Sequence, residues 1–513
     1  MLRGIRNLVR LVAIGRTLAR HDLLDVLAVP GPLRLCIRLA GGHADRAAAA
    51  LRPGQRLAAA LQDMGPTFIK LGQTLSTRSD FVGEEMAADL SELQDRLPPF
   101  PAAEARATVV RELDEPLETL FQSFDDKPVA AASIAQVHYA VTTEGKEVAV
   151  KVLRPGIEER FAADVALLAW LAEWTERLRP RLRRLHLGDS VRNFEGVVSR
   201  EMDLRFEAAA AAELAQNFAG DPNFVIPEVD WQRTGKRVLT LERIHGIPID
   251  EVEAIKAAGI DLTRVVEVAA DAFFNMVFRD GFFHADLHPG NLFVGERGQI
   301  IAVDFGITGR LDRATRRFLG ELLLGFLNRD FRRVAQIHFD AGIIPADQSV
   351  DLFTQAVRSI AEPILGRPLH EISVARLLGQ LFDIARAFKL EAQPQMLLLQ
   401  KTMLVAEGVG RRLNAEVNMW QLAQPLIEDW MADNLGAGAR MRESMGGFVE
   451  TIENFPRLVR NVERVAETLK DGGLRLHPDS VKAIEEARRA RGTFPSWLPW
   501  ILVAALAYLL LRR

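Results

Sequence analysis

An aspartate and an asparagine stand five positions apart in His284-Ala-Asp286-Leu-His-Pro-Gly-Asn291, and Val303-Asp304-Phe-Gly306 begins twelve residues after that asparagine. Phosphoryl transfer from MgATP in a kinase-like fold requires such groups in this order: a carboxylate beside the acceptor, an amide oxygen on one Mg²⁺, and a second carboxylate on the metals that bridge the phosphates. Asp286 is the candidate catalytic carboxylate, and Asn291 and Asp304 are the candidate metal ligands. The cofactors expected from these residues are ATP and Mg²⁺.

Such a site also needs a cation for the α- and β-phosphates. Val148-Ala-Val-Lys151 reads as a strand ending in a lysine, about 135 residues before Asp286. A lysine in an apolar strand requires an anionic partner, either a phosphate or a glutamate on a following helix. Glu201-Met-Asp203-Leu-Arg-Phe-Glu207 offers two glutamates, and spacing does not choose between them. The segment expected to cover the phosphates is Ala130-Ala131-Ala132-Ser133-Ile134-Ala135-Gln136-Val137-His138. Glycines would let the backbone close on phosphate, whereas alanines restrict φ and add methyl groups, so a stiffer lid is expected. Leu239-Thr-Leu-Glu-Arg-Ile-His-Gly246 has the pattern of a hinge, in which Leu241 backs an adenine and the backbone of Glu242 and Ile244 meets its edge. No Ala-Pro-Glu follows Gly306, and about eight residues separate it from the next helical pattern. That leaves little room for a peptide-docking platform.

The elements that must position these groups divide the chain into four. Residues 1–115 read as a helical extension, with a helix expected over Gln62–Leu75 and another over Ala102–Leu113. Residues 116–244 read as a small strand-rich lobe, with Val137–Val141 and Glu147–Leu153 paired about Gly145. Residues 245–470 read as a helical lobe, entered through an apolar helix over Leu262–Phe278 and holding a strand pair around the Glu296-Arg-Gly298 turn. Residues 471–513 form a linker and an apolar end. The expected fold class is therefore α+β, a bilobal protein-kinase-like fold with a helical extension and a C-terminal membrane segment.

At 513 residues, 48% hydrophobic and 26% charged, the chain has ample material for such a core. Its net charge of −4 gives no sign of a nucleic-acid partner. A single cysteine, Cys36, excludes both an intrachain disulfide and a cysteine metal cluster. Residues 1–20 carry five arginines and no acidic residue on an amphipathic pattern, as a membrane-surface helix, a transit peptide or a helix packed on the protein would. Arg177, Arg179, Arg181, Arg183 and Arg184 form a further basic run. Phe494–Leu511 is 18 residues without a charge, edged by Trp497 and Trp500 at one end and Arg512-Arg513 at the other. At roughly 1.5 Å per residue it reaches about 27 Å, just adequate for a bilayer core. Attachment at an inner membrane through this segment is expected.

Together these residues resemble the UbiB/ADCK family of atypical kinases, from about residue 60 to 415. The family-specific parts are Lys70-Leu-Gly-Gln73, the alanine-rich loop at 130–138, Glu201-Met-Asp203, His284 to Asn291, Asp304-Phe-Gly306 and Gln400-Lys-Thr402. The resemblance implies a kinase-like fold whose active site is covered by the helical extension. It implies that Lys70 reaches the nucleotide pocket as a catalytic-site residue and pairs with Glu201 and Asp203, and that Glu207 partners Lys151. It further implies an ATPase or small-molecule kinase that supports synthesis of ubiquinone and related isoprenoid quinones. The implied partners are membrane lipids, quinone precursors and other quinone-biosynthesis proteins. Two other readings stand beside it: a soluble small-molecule phosphotransferase, and a nucleotide-regulated lipid-binding scaffold with little turnover.

Overall fold

A computed structural model of the chain describes residues 2–26, 51–76, 82–91, 97–178, 186–363 and 394–414, with isolated positions at 34–39, 93, 380–390 and 425–432. These fall almost wholly in one compact unit, Met1–Met431.

The extension is built from α1 (Leu2–Arg20), α2 (Pro53–Met64), α3 (Pro66–Ser76) and α4 (Glu84–Ser91). The single helix expected over Gln62–Leu75 is two helices. Gly65 adopts φ +104°, and Pro66, which has no N–H to give the preceding turn, starts α3. Leu57, Leu61, Phe68, Ile69, Leu90 and Leu93 form the core of this region, with Ile14 and Leu18 of α1 packed against it. The apolar side of α1 at these positions is thus spent on the protein itself. Gly72 lets α3 come close: a Cβ there would meet Leu93 Cδ1 at 2.6 Å and Leu61 Cδ1 at 2.8 Å.

In the small lobe, α5 (Ala102–Leu113) precedes β1 (Phe121–Phe124), β2 (Ala130–Ala131), β3 (Ala135–Thr142), β4 (Glu147–Leu153) and, further on, β6 (Val238–Glu242). The sheet runs β1-β3-β4-β6, with β2 also on β3. The expected hairpin forms: Val141 pairs with Glu147, and Gly145 turns the chain at φ +84°. Side chains alternate along a strand, so Val148, Val150 and Val152 pack under Ala105 and Val109 of α5. Lys151 is thereby left on the opposite face. Three helices follow, α6 (Ile157–Leu178), α7 (Leu187–Glu201) and α8 (Leu204–Asn217), the last N-capped by Asp203.

The second lobe has α9 (Leu262–Phe274), which passes into a π-helical turn, Asn275–Asp280, instead of continuing to Phe278. Its short strands are β5 (Phe224–Val225), β7 (Ile247–Pro248), β8 (Phe282–His284), β9 (Leu292–Val294), β10 (Ile300–Ala302) and β11 (Thr308–Arg310). The β9–β10 pair forms as expected, closing at Gly298 with φ +80°. Two elements lie across the expected boundaries. Before residue 115, α5 packs on the small-lobe sheet, and before residue 244, β5 pairs with β10 in the order β5-β10-β9-β7. The helices that follow are α10 (Arg313–Leu327), α11 (Phe331–Asp340), α12 (Val350–Ala361) and α13 (Pro394–Leu413). Among the described residues no helix is long and apolar enough to cross a membrane. The apolar segment 494–511 and most of the basic run after Arg177 lie outside the described residues.

Candidate active site

Three ionisable side chains, Lys151, Glu207 and Asp304, meet at the small lobe's inner face. The Lys151 ammonium, on β4, donates to both Glu207 carboxylate oxygens on α8, at 2.8 and 2.9 Å, and to Asp304 Oδ1 at 3.1 Å. Glu207, not Glu201, is therefore the lysine's partner. Register explains the meeting: Lys151 sits between Val137 of β3 and Leu239 of β6, in the middle of the sheet. Burial would push the Lys151 ammonium down, but the Asp304 and Glu207 carboxylates outweigh it and hold it well above the ordinary lysine value. The Lys151 charge holds Asp304 down at about 2, and the more distant Lys70 adds to that pull. Burial, opposed by Lys151 and reinforced by the Asp304 charge, pushes Glu207 up to about 7.

Asp304 has φ +59°, the left-handed region that non-glycine residues rarely occupy. Next to it, a Cβ on Gly306 would stand 3.3 Å from Asp304 Oδ1. The turn is tight, and it presents a half-exposed carboxylate, 50% accessible at its side chain.

The loop bearing Asp286 is fixed from beneath by His284, which is fully buried. Its Nδ1 accepts from the Asp286 N–H at 3.1 Å, so its Nε2–H donates to the Val303 carbonyl at 3.1 Å. Burial keeps this imidazole neutral by lowering its pKa. One side chain thus ties the loop bearing Asp286 to the residue before Asp304. Asn291 Nδ2 donates to the Asp286 carbonyl at 3.0 Å, which leaves its amide oxygen as the group for a cation. Among the described residues no group of three or more His, Cys, Asp or Glu side chains is placed to hold a metal by itself. A carboxylate kept ionised and an amide oxygen make a hard, all-oxygen donor pair, which suits Mg²⁺ completed by phosphate oxygens. The residues present fit that ion.

Lys70, on α3, is paired with Glu201 of α7 at 3.0 Å, both side chains being largely buried. The extension is thereby tied to the end of α7, close enough for the Lys70 charge to act on Asp304. Asp203 is engaged elsewhere, by the Arg205 guanidinium at 2.7 and 2.8 Å.

The alanine-rich segment is only partly the lid its sequence suggests. Ala130 is exposed and Ala131, Ala132 and Val137 are half-buried, but Ser133, Ile134, Ala135, Gln136 and His138 are buried. Gln136 accepts from the Phe100 N–H at 3.0 Å and donates to its carbonyl at 3.2 Å. His138 stacks on Phe124 with its Nδ1 2.7 Å from the Asp125 carbonyl. Both side chains point into the lobe, because β3 starts at Ala135 and its period-two alternation puts them on the face shared with Ala140 and Thr142. The turn itself is pinned: Arg154 donates to the Ala132 carbonyl at 2.8 and 3.1 Å and to the Pro98 carbonyl at 2.9 Å. The lid is thus strapped to the segment that descends from the extension.

At the hinge, Leu241 is buried and Ile244 half-buried. The Glu242 N–H donates to the Glu228 carbonyl at 2.8 Å, so any purine contact from Glu242 would come from its carbonyl. Two residues without an assigned role complete the site. On α13, Lys401 Nζ lies 3.5 Å from Asp286 Oδ1, and the buried Thr402 hydroxyl is 3.2 Å from the Ala285 carbonyl.

The fold and these convergent groups define a kinase-like protein. Residues 92–338 match the ABC1 atypical kinase-like domain and residues 357–418 the UbiB helical domain. "Probable protein kinase UbiB" of Marinobacter nauticus is 41% identical, over 91% of this chain and 86% of its own length. The protein of the same name from Pseudomonas aeruginosa is 38% identical over 98% of this chain and 99% of its own. A Mycobacterium tuberculosis protein solved in complex with erythromycin matches with a TM-score of 0.51 and 25% identity, covering 70% of this chain and 91% of that one. The chain belongs to the UbiB family of atypical kinases.

Proposed function

We propose that this protein is a MgATP-dependent ATPase or small-molecule kinase that serves ubiquinone biosynthesis at an inner membrane, acting on or extracting lipid precursors. The observation that carries the reading is the convergence of Lys151, Glu207 and Asp304 beside a loop bearing Asp286 and Asn291. In this reading Lys151 holds the α- and β-phosphates, displacing part of its contact to Asp304, while Glu207 keeps the ammonium in place. Asp304 and Asn291 would hold Mg²⁺, which would supply positive charge to the phosphate oxygens. Asp286 orients the acceptor and takes its proton. The lid turn at 130–132 lies over the phosphates, with Arg154 limiting its travel.

Two features favour a small acceptor over a peptide. The chain passes from Asp304 through β11 directly into α10 at Arg313, and the Lys70–Glu201 pair ties the extension to the end of α7. Membrane attachment through 494–511 and contact with other quinone-biosynthesis proteins belong to the same proposal.

The test is phosphate release from ATP by the purified full chain, with and without anionic liposomes and a phenolic quinone-precursor analogue. Turnover raised severalfold by liposome and phenol together is expected. Nucleotide binding without turnover under every condition would instead favour a nucleotide-regulated lipid-binding scaffold.

A further inference from the structure

The loop from His284 to Asn291 contains no lysine or arginine, although a phosphoryl group moving past Asp286 carries negative charge toward a carboxylate. The cation beside Asp286 comes from elsewhere in the chain. Lys401 lies on α13, within the region matching the UbiB helical domain and beyond the 92–338 kinase-like match. Its Nζ stands 3.5 Å from Asp286 Oδ1, and the two side chains are 37% and 35% exposed.

This contact is unlike the two other lysine pairs at the site. Lys151 is clamped at 2.8 to 3.1 Å by two carboxylates, and Lys70 meets Glu201 at 3.0 Å with both side chains under 15% exposed. Lys401 is held at a length where a hydrogen bond is nearly lost, yet its helix is anchored where it matters. The Thr402 hydroxyl reaches the carbonyl of Ala285, the residue before Asp286, and also the Leu398 carbonyl at 2.9 Å. Leu399 and Val409 of the same helix are buried in the main core. The backbone is registered on the catalytic loop, and the ammonium is left room to turn.

We propose that Lys401 is a catalytic residue that binds the transferred phosphoryl group, so that the C-terminal helical domain completes the active site. The proposal rests on the phosphotransfer reading above. As the acceptor oxygen attacks the γ-phosphorus, the bond to the bridging oxygen breaks and ADP leaves with its electron pair. The acceptor's proton passes to Asp286. Lys401 keeps its proton throughout and donates a hydrogen bond to a non-bridging γ-oxygen, offsetting the repulsion between that oxygen and Asp286. ADP has no such group, so Lys401 distinguishes the triphosphate from the diphosphate.

The test compares wild type, Lys401→Met and Lys401→Arg in the full chain, by calorimetric binding of MgATP and MgADP, single-turnover phosphate release and thermal midpoint. Lys401→Met should weaken MgATP binding about tenfold with MgADP changed less than about twofold, and slow phosphate release on the order of 10²-fold. The midpoint should stay put and Lys401→Arg should recover part of both losses. Equal loss of ATP and ADP binding, unchanged binding of both, or a loss that follows the thermal midpoint and is not relieved by arginine, overturns the proposal. A wild-type protein that releases no phosphate refutes the transfer reading alone, because the ratio of ATP to ADP affinity still decides whether Lys401 meets the γ-phosphate.

Discussion

On the small-lobe side of the site, Lys151 holds Glu207 and Asp304 at 2.8 to 3.1 Å, with Lys151 and Glu207 nearly buried. On the large-lobe side, Lys401 stands 3.5 Å from Asp286, and both are about a third exposed. The first set is closed by the chain itself, with its charges compensated before any nucleotide arrives. The second has its backbone fixed, through His284 and Thr402, while its charged ends are loosely met. The difference teaches where each half draws its order. The small-lobe side is ordered by contacts the chain makes itself, and the large-lobe side has an ordered backbone with its charged ends more loosely met. The extension belongs with the first kind, since Lys70–Glu201 and the Arg154 strap are short contacts already made.

The comparison can be broken most forcefully at Lys151. Lys151→Met leaves two carboxylates facing each other without their cation, and should cost about 3 kcal/mol of stability as well as most nucleotide affinity. Chemical denaturation with and without MgATP checks this. A loss under about 1 kcal/mol would mean the cluster is not the preset unit described. Next in size, Gly72→Leu places a side chain against Leu61 and Leu93 and should cost about 1–3 kcal/mol, detaching α3 and with it Lys70. Limited proteolysis of the extension should accelerate in that variant and not in Gln73→Ala.

Glu207 gives the comparison a pH signature. Its carboxyl is raised from 4.5 to about 7 in the folded chain, so between these values the folded state binds more protons than the unfolded one. Its contribution to stability is complete below about 4.5 and declines as pH rises toward 7. Denaturation of wild type and Glu207→Gln at pH 5 and pH 8 should show the wild type losing ground relative to the variant on going to the higher pH. A flat difference would mean that Lys151 keeps Glu207 ionised throughout. The smallest effect is expected at Thr402. Thr402→Val removes one hydroxyl contact to the loop, costing about 1 kcal/mol, and turnover should fall more than nucleotide affinity does. Equal effects on both would place Thr402 in general packing.

Much of the candidate site was legible in the chain because short motifs carry it. Lys151, Asp286, Asn291 and Asp304 each sit in a local pattern with one physical use, whereas the choice of Glu207 over Glu201 needed the family resemblance. The break at Gly65-Pro66 was also written locally, since a glycine followed by proline punctuates a helix, but the apolar spacing on either side masks it. Gln136 and His138 read as lid residues only while the segment is taken as a turn. Gln136, His138, Ala140 and Thr142 share one strand parity, and all four are buried. Gln400-Lys-Thr402 stands out only through the resemblance, and nothing local links Lys401 to Asp286. The two lie 115 residues apart, and only the packing of α13 on the core brings them together.

The most direct test of the account is single-turnover cleavage of MgATP by the full chain and its Asp304→Asn variant, followed in parallel with nucleotide binding. The account predicts that the variant folds and still binds nucleotide through Lys151, while phosphate release falls on the order of 10³-fold or more and extra Mg²⁺ does not restore it. Phosphate release by the variant at the wild-type rate would contradict it, because the carboxylate held ionised beside Lys151 would then have no part in the chemistry.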